Sequence, residues 1–226
     1  MKRILAASTL IVCFMAFSYG QQPGTVIDSS KYSAYWWHSK DLFDHLPDTK
    51  NEIVFLGNSI TDGAEWFELL DNKRCRNRGI SGDVTAGVLL RLDAVTKLKP
   101  TSIFIMIGIN DLSRNVTVDS VMVNYRLILD QIKRETPDTK VFIESVLPVN
   151  AAVGRYPALQ NKTESIMELN RQLRALATES GHTYIDLFSV MADSENHLPR
   201  KYSVDGLHLN YEAYRVWTET IRKYVR

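Results

Sequence analysis

The 226-residue sequence predicts an α/β fold: a three-layer α/β/α sandwich around a central, mostly parallel sheet of about five strands. Three observations predict it. Short apolar runs rich in Ile, Val and Phe recur along the chain. Longer amphipathic stretches of helical period separate them. The apolar runs are continuous rather than alternating, as strands covered on both faces require.

In chain order, the first segment stands apart. Lys2 and Arg3 precede an apolar run over 4–17, and Ser18-Tyr19-Gly20 follows it. This layout is that of a secretory signal peptide, with an uncleaved anchor as the alternative. The run falls short of the roughly 20 apolar residues that span a bilayer. Residues 1–20 are therefore expected to be a signal peptide and 21–226 a single domain, secreted or periplasmic. Next, YSAYWWHSKDLFDHL (32–46) has an aromatic helical stripe, expected to pack Tyr35, Trp36, Leu42 and Phe43 on the domain. Strands are expected at 52–57, 75–80, 102–108, 140–148 and 182–188, and helices near 84–98, 117–136, 163–180 and 210–225.

Charge and cysteine content exclude several functions. Removing residues 1–20 leaves 25 basic and 26 acidic residues, too even a balance for a nucleic-acid or anionic-membrane footprint. Cys75 would be the only remaining cysteine, which excludes an internal disulfide and a multi-thiolate metal site. It is expected to be a small core residue. No phosphate-cradling G-x-x-x-x-G-K-[ST] loop is present to support a flavodoxin-like nucleotide binder.

In open parallel sheets, ligands bind beyond the carboxyl ends of the strands. Polar residues and glycines gather there. Gly57-Asn58-Ser59 follows the first strand, NRGISGD (77–83) the second and GIND (108–111) the third. LPVNAAVGRYP (147–157) follows the fourth, and VDGLH (204–208) precedes the last helix. Taken alone, Ser59 reads more readily as a helix cap than as a nucleophile, which needs a base beside it. Asp205 and His208, three apart, can pair as carboxylate and imidazole, or can form a turn and cap. Gly82 lets a backbone N–H approach a ligand, or makes a tight turn. Asn110 offers an amide donor, or an Asx turn.

Taken together, FLGNSIT (55–61), NRGISGD (77–83), IGIND (107–111) and DGLH (205–208) resemble the four ordered blocks of the SGNH hydrolases, the GDSL-type esterases and lipases. The likeness covers residues 50–226, and the GISGD and GIND blocks look nearer the platelet-activating-factor acetylhydrolase-like and carbohydrate-acetylesterase branches. The first block departs in one place, Asn58 standing where Asp is common. The resemblance implies a flavodoxin-like SGNH hydrolase fold and ester hydrolysis through an acyl-serine. It implies Ser59, His208 and Asp205 as catalytic residues, and Ser59, Gly82 and Asn110 as oxyanion donors. It implies no cofactor and no metal.

Small acyl esters are the expected substrates, above all O-acetyl groups on carbohydrate, because the 147–163 segment is polar and mixed rather than a long apolar flap. A lysophospholipase or platelet-activating-factor-acetylhydrolase-like lipid esterase is the alternative. A non-catalytic glycan-binding module stacking sugars on Trp36, Trp37 and Trp66 is the alternative of another class. Asp111 is expected to brace the second-block loop, and His197 to lie at the surface. Asn115 and Asn161 head glycosylation sequons that matter only in a eukaryotic source.

Overall fold

The computed structural model describes residues 32–225. The signal peptide expected over 1–20 lies outside the described residues. Helix α1 (Ala34–His45) leads into β1 (Ile53–Gly57), the short helices α2 (Ser59–Asp62) and α3 (Trp66–Leu70), and β2 (Cys75–Gly79). Then come α4 (Thr85–Leu90), α5 (Asp93–Thr96), β3 (Ser102–Met106), α6 (Ile109–Ser113), α7 (Val118–Glu135) and β4 (Lys140–Glu144). The chain closes with α8 (Thr163–Ser180), β5 (Thr183–Ile185), α9 (Leu187–Met191) and α10 (Tyr211–Ile221). Among the described residues, no helix is long and apolar enough to cross a membrane.

The five strands form one sheet in the order β2-β1-β3-β4-β5, and every neighbouring pair is parallel. All of β1 and β3 is buried, which explains their unbroken apolar sequences. In-register pairing lines up Phe55, Phe104 and Phe142 on one face. Their rings stack at 5.0 and 4.5 Å, and Phe55 lies flat on Trp66 at 4.0 Å. Trp217 of α10 meets Trp66 edge-on at 5.0 Å. Burying such large side chains contributes about 1.5–3 kcal/mol each. Strand alternation sends Val54, Leu56, Ile103 and Ile105 to the opposite face, the side of α4, α7 and α8.

Local chemistry sets the element ends. Ser33, Thr117, Asp186 and Asn210 cap α1, α7, α9 and α10 with side-chain oxygens, and Gly181 ends α8 in the left-handed region. Tertiary contacts revise other sequence-based expectations. The helix expected over 84–98 breaks at Arg91, whose φ of −121° leaves the helical ladder. The expected last strand stops at Ile185, because Asp186 caps α9. The strand expected over 140–148 pairs only to Glu144, and the chain beyond leaves the sheet as a loop. α10 passes into a 3-10 turn at Arg222. α1 is rotated from the expected stripe: Trp36 is buried, whereas Tyr35 and Leu42 are 49% and 55% exposed. Tyr35 instead donates its hydroxyl to Asp62.

At this break Arg91 enters a buried ion pair. Arg91 Nε meets Asp83 Oδ2 at 2.7 Å, with both side chains at most 1% exposed. The other guanidinium nitrogens donate to the carbonyls of Arg78, in β2, and Gly57, at the end of β1. Asp83 Oδ1 accepts from Trp36 Nε1 at 2.8 Å and from Val84 N at 3.0 Å. One cluster thus joins α1, the ends of β1 and β2, and the loop that follows β2. Cys75, at the start of β2, is buried as expected.

These buried charges have measurable consequences. Arg91→Met leaves Asp83 unneutralised in the core and should cost about 3–5 kcal/mol in urea unfolding. A loss below about 1 kcal/mol would show that the ion pair is not structurally important. Burial pushes the Glu144 carboxyl up to about 8, opposed by its hydrogen bond from Trp217 Nε1. An unfolded glutamate ionises near ~4.3, so the stabilisation from protonated Glu144 is complete below that pH and fades as pH rises to about 8. Glu144→Gln keeps an acceptor for Trp217, so it should lose less stability than wild type between pH 5 and 8. Parallel pH dependences in urea unfolding would contradict this.

Candidate active site

Ser59 begins α2, directly after β1. Asn58, not Ser59, caps this helix: its side chain accepts from Ile60 N at 3.0 Å. The departure at Asn58 therefore has a capping role, and the Ser59 hydroxyl is left for other partners. The turn has little room. A Cβ on Gly57 would lie 2.2 Å from Thr61 Oγ1, and one on Gly79 would lie 2.2 Å from Asp62 N. Tyr214 donates its hydroxyl to Ile60 O at 2.7 Å, fixing α2 from α10.

Residues 149 positions apart meet at this turn. Ser59 Oγ lies 2.9 Å from His208 Nε2. His208 Nδ1 lies 2.8 Å from Asp205 Oδ2. The other carboxylate oxygen accepts from Leu207 N at 2.9 Å, His208 N at 2.8 Å and Ser203 Oγ at 3.2 Å. Burial pushes the Asp205 carboxyl up, but the donors of His208 and Leu207 prevail and hold it well below the usual carboxylate range. A carboxylate only accepts, so the partners assign the proton of neutral His208 to Nδ1. Nε2 then presents its lone pair to the Ser59 hydroxyl. The arrangement can take a proton from the serine and return it to a leaving group.

Gly82 sits at φ +79°, where a β-carbon is strained, so the tight turn and the exposed backbone N–H coexist. The N–H groups of Ser59 and Gly82 have no acceptor among the described residues. Asn110 Nδ2 donates one proton to Asp83 O at 2.9 Å, which leaves its second for a ligand. Arg114 holds the Gly82 carbonyl at 2.8 Å from the end of α6. Asp111 is buried and accepts from Thr85 N and Oγ1, so it braces the start of α4 just beyond the second-block loop. Burial pushes its carboxyl up, against the Thr85 donors.

The aromatic and histidine candidates fall elsewhere. Trp36 and Trp66 are each 1% exposed, so neither can stack on a glycan. Trp37 is half-buried and packs on Trp36 at 4.9 Å. His197 is at the surface, beside a cavity of about 550 Å³ that it shares with Gln160, Asn161 and Glu164. Among the described residues, no cluster of three or more His, Cys, Asp or Glu could hold a metal.

Sequence reasoning missed Arg91, Asp83 and Tyr156. The aspartate that ends GISGD and the arginine eight residues on were visible, but nothing local shows that they pair. Tyr156, in the loop after β4, places its hydroxyl 3.3 Å from Asp205 Oδ2 and 3.2 Å from His208 Nδ1. Nothing in the local sequence of this mixed loop points to it.

Comparison with known proteins gives the family and the fold. The model of the GDSL-like lipase/acylhydrolase family matches residues 55–216. The platelet-activating factor acetylhydrolase IB subunit alpha1 of Homo sapiens is 26% identical over 174 residues, 74% of this chain and 72% of the relative. Among solved structures, a candidate acylhydrolase from Bacteroides fragilis NCTC 9343 is 27% identical with a TM-score of 0.74, covering 84% of this chain and 94% of its own. A mutant of Axe2, an acetyl-xylooligosaccharide esterase from Geobacillus Stearmophilus, has a TM-score of 0.63 at 19% identity. That similarity covers 80% of this chain and 96% of Axe2, and is a likeness of fold. With the family model spanning the loop after each of the sheet's strands and both ends of the Ser59–His208 contact, the chain belongs to the GDSL-like lipase/acylhydrolase family, the SGNH hydrolase superfamily.

Proposed function

We propose that this protein is a serine esterase that removes small acyl groups, above all O-acetyl groups on carbohydrate. The single observation that carries the reading is the hydrogen-bonded series from Ser59 Oγ to His208 at 2.9 Å and on to Asp205 at 2.8 Å. Ser59 Oγ attacks the ester carbonyl carbon while His208 Nε2 takes the hydroxyl proton. Asp205 orients the ring and stabilises the imidazolium. The N–H groups of Ser59 and Gly82 and the side chain of Asn110 receive the developing oxyanion. The tetrahedral intermediate collapses, the alcohol leaves with the proton from His208, and Ser59 carries the acyl group. Water, deprotonated by His208, attacks the acyl-serine carbonyl carbon; the bond to Ser59 Oγ then breaks, His208 returns the proton to that oxygen, and the acid is released.

Two considerations support the small-acyl preference. The loop after β4 is mixed in character rather than a long apolar flap, and the cavity beside it is lined by both apolar (Ala151, Leu159) and polar (Gln160, Asn161, Glu164, His197) side chains. The human relative and the Geobacillus neighbour both carry acetyl in their names. The human relative is also what favours the second reading, a lipid esterase of the platelet-activating-factor acetylhydrolase type. The segment 1–20, read as a signal peptide, supports action outside the cytoplasm.

Ser59→Ala should stay folded, lose labelling by a fluorophosphonate probe and lose p-nitrophenyl acetate hydrolysis by at least about 10³-fold. Turnover within tenfold of wild type would overturn the serine mechanism, and absence of labelling in wild type would favour a binding module. A panel of acetylated xylo-oligosaccharides, p-nitrophenyl esters of rising chain length and lysophospholipid should give the highest kcat/KM on acetyl esters. A preference for acyl chains of eight carbons or more would select the lipid reading.

A further inference from the structure

The loop between β4 and α8 reaches over the outer side of the His208 ring. Tyr156 stands within it, immediately before the 3-10 turn Pro157–Leu159. Its ring meets the imidazole edge-on, with centroids 5.6 Å apart and planes at 73°. Its hydroxyl approaches Asp205 Oδ2 at 3.3 Å and His208 Nδ1 at 3.2 Å. Tyr156 therefore touches the junction between carboxylate and imidazole, not the Nε2 side where Ser59 lies.

The loop is tied to the Asp205–His208 turn along its length. Asn150 N donates to Gly206 O at 2.8 Å, and Asn150 Nδ2 donates to Leu198 O at 3.0 Å. A Cβ on Gly206 would come within 2.3 Å of Asn150 O, so the two backbones are in direct contact. Buried Leu159 anchors the far end. A phenol held this way has one proton to give. Asp205 Oδ2, an acceptor with a second lone pair free, is the partner that takes it. Burial, and then the negative charge of Asp205, push the Tyr156 phenol up, so it stays protonated and able to donate across neutral pH.

Resting on the reading of Ser59, His208 and Asp205 as a catalytic triad, we infer that Tyr156 is a positioning residue of the acid–base pair, through which the loop after β4 sets the orientation and basicity of His208. Asp205 Oδ1 is fully engaged by Leu207 N, His208 N and Ser203 Oγ, so Oδ2 alone mediates between the phenol and the imidazole. A donor on Oδ2 draws negative charge away from the imidazolium and lowers its stability. The charged and titratable groups facing the pair are Asp205 on its own turn and Tyr156 on the loop. Arg155 adjoins Tyr156 on the same loop, and from α2 the neutral Ser59 contacts His208, the one charged residue of that helix, Asp62, accepting instead from Tyr35.

The test is Tyr156→Phe, which keeps the ring against His208 and removes only the hydroxyl. With one donor fewer, Asp205 stabilises the imidazolium more strongly. The acid limb of kcat/KM should move up by about 0.3–0.5 pH unit. kcat on p-nitrophenyl acetate should fall about 3- to 10-fold with KM little changed, as the ring loses its lateral restraint. The downfield Nδ1 proton resonance of His208 should shift in the same variant, a direct readout in the folded protein. Tyr156→Ala should lower kcat further. A wild-type pH profile and Nδ1 resonance in Tyr156→Phe would overturn the inference. So would a shift of the acid limb to lower pH, or a change confined to KM. Ser59→Ala run in parallel separates the two levels. If it remains active, the triad reading fails and this one with it. If it is inactive while Tyr156→Phe matches wild type, only the role of Tyr156 fails.

Discussion

The ion pair of Arg91 with Asp83, taken wholly out of water, holds the frame of the site together. Desolvating two charges is costly, and a buried pair of this kind is rarely a net source of stability. What it supplies is position. Three guanidinium nitrogens reach Asp83, Arg78 O and Gly57 O, so one side chain sets the distance between the ends of β1 and β2 and the loop beyond. Asp83 O in turn receives Asn110 Nδ2, which brings the end of β3 into the same frame. Three of the four loops that carry the family blocks thus converge on one buried residue pair, and the fourth is reached through the Ser59–His208 contact.

The sheet order explains why the convergence occurs here. β1 lies between β2 and β3, so the connection after β1 leads to one side of the sheet and the connection after β3 to the other. That reversal opens a crevice at the carboxyl ends of β1 and β3. Ser59 and Asn110 lie on its two sides, each on a short helix directly after a strand. The acid–base pair approaches from a different direction, on a turn held to the loop after β4 by Asn150 and Gly206. Donors and base are thus carried by separate supports: a rigid ion-paired cluster for the donors, and a backbone-stitched loop for His208. Substrate differences within such a fold can arise in the loop while the donor cluster stays constant.

Legibility in the sequence is uneven. β1, β3 and β4 are visible because buried parallel strands favour continuous apolar residues, as over 53–56, 103–106 and 141–143, whereas β2, Cys-Arg-Asn-Arg-Gly, is half polar and only partly buried. The long helices α7 and α8 are visible because an amphipathic period survives over 18 residues. The short helices α2, α3, α6 and α9 have at most five residues each, too few to show a period. The rotation of α1 away from its expected stripe has a tertiary reason. Trp36 turns inward to reach Asp83, 47 residues away, and Tyr35 is carried outward toward Asp62. Ser59 cannot be told from a cap until Asn58 is seen to take that role.

The α/β class and the order of the strands and long helices follow from the chain's own pattern, and the four blocks holding Ser59, Gly82, Asn110 and the Asp205–His208 pair from their resemblance to the family's ordered blocks. These are local properties: hydrophobic period, turn chemistry and residue spacing are written within a few residues of each feature. Long-range packing alone makes Arg91 pair with Asp83, sets Ser59 Oγ and His208 Nε2 2.9 Å apart across 149 positions, and rests Tyr156 on the pair. Such contacts join residues whose neighbours in sequence carry no trace of one another. They form only when the parallel sheet brings its loops to one end, where burial favours arrangements that partner most charges and donors.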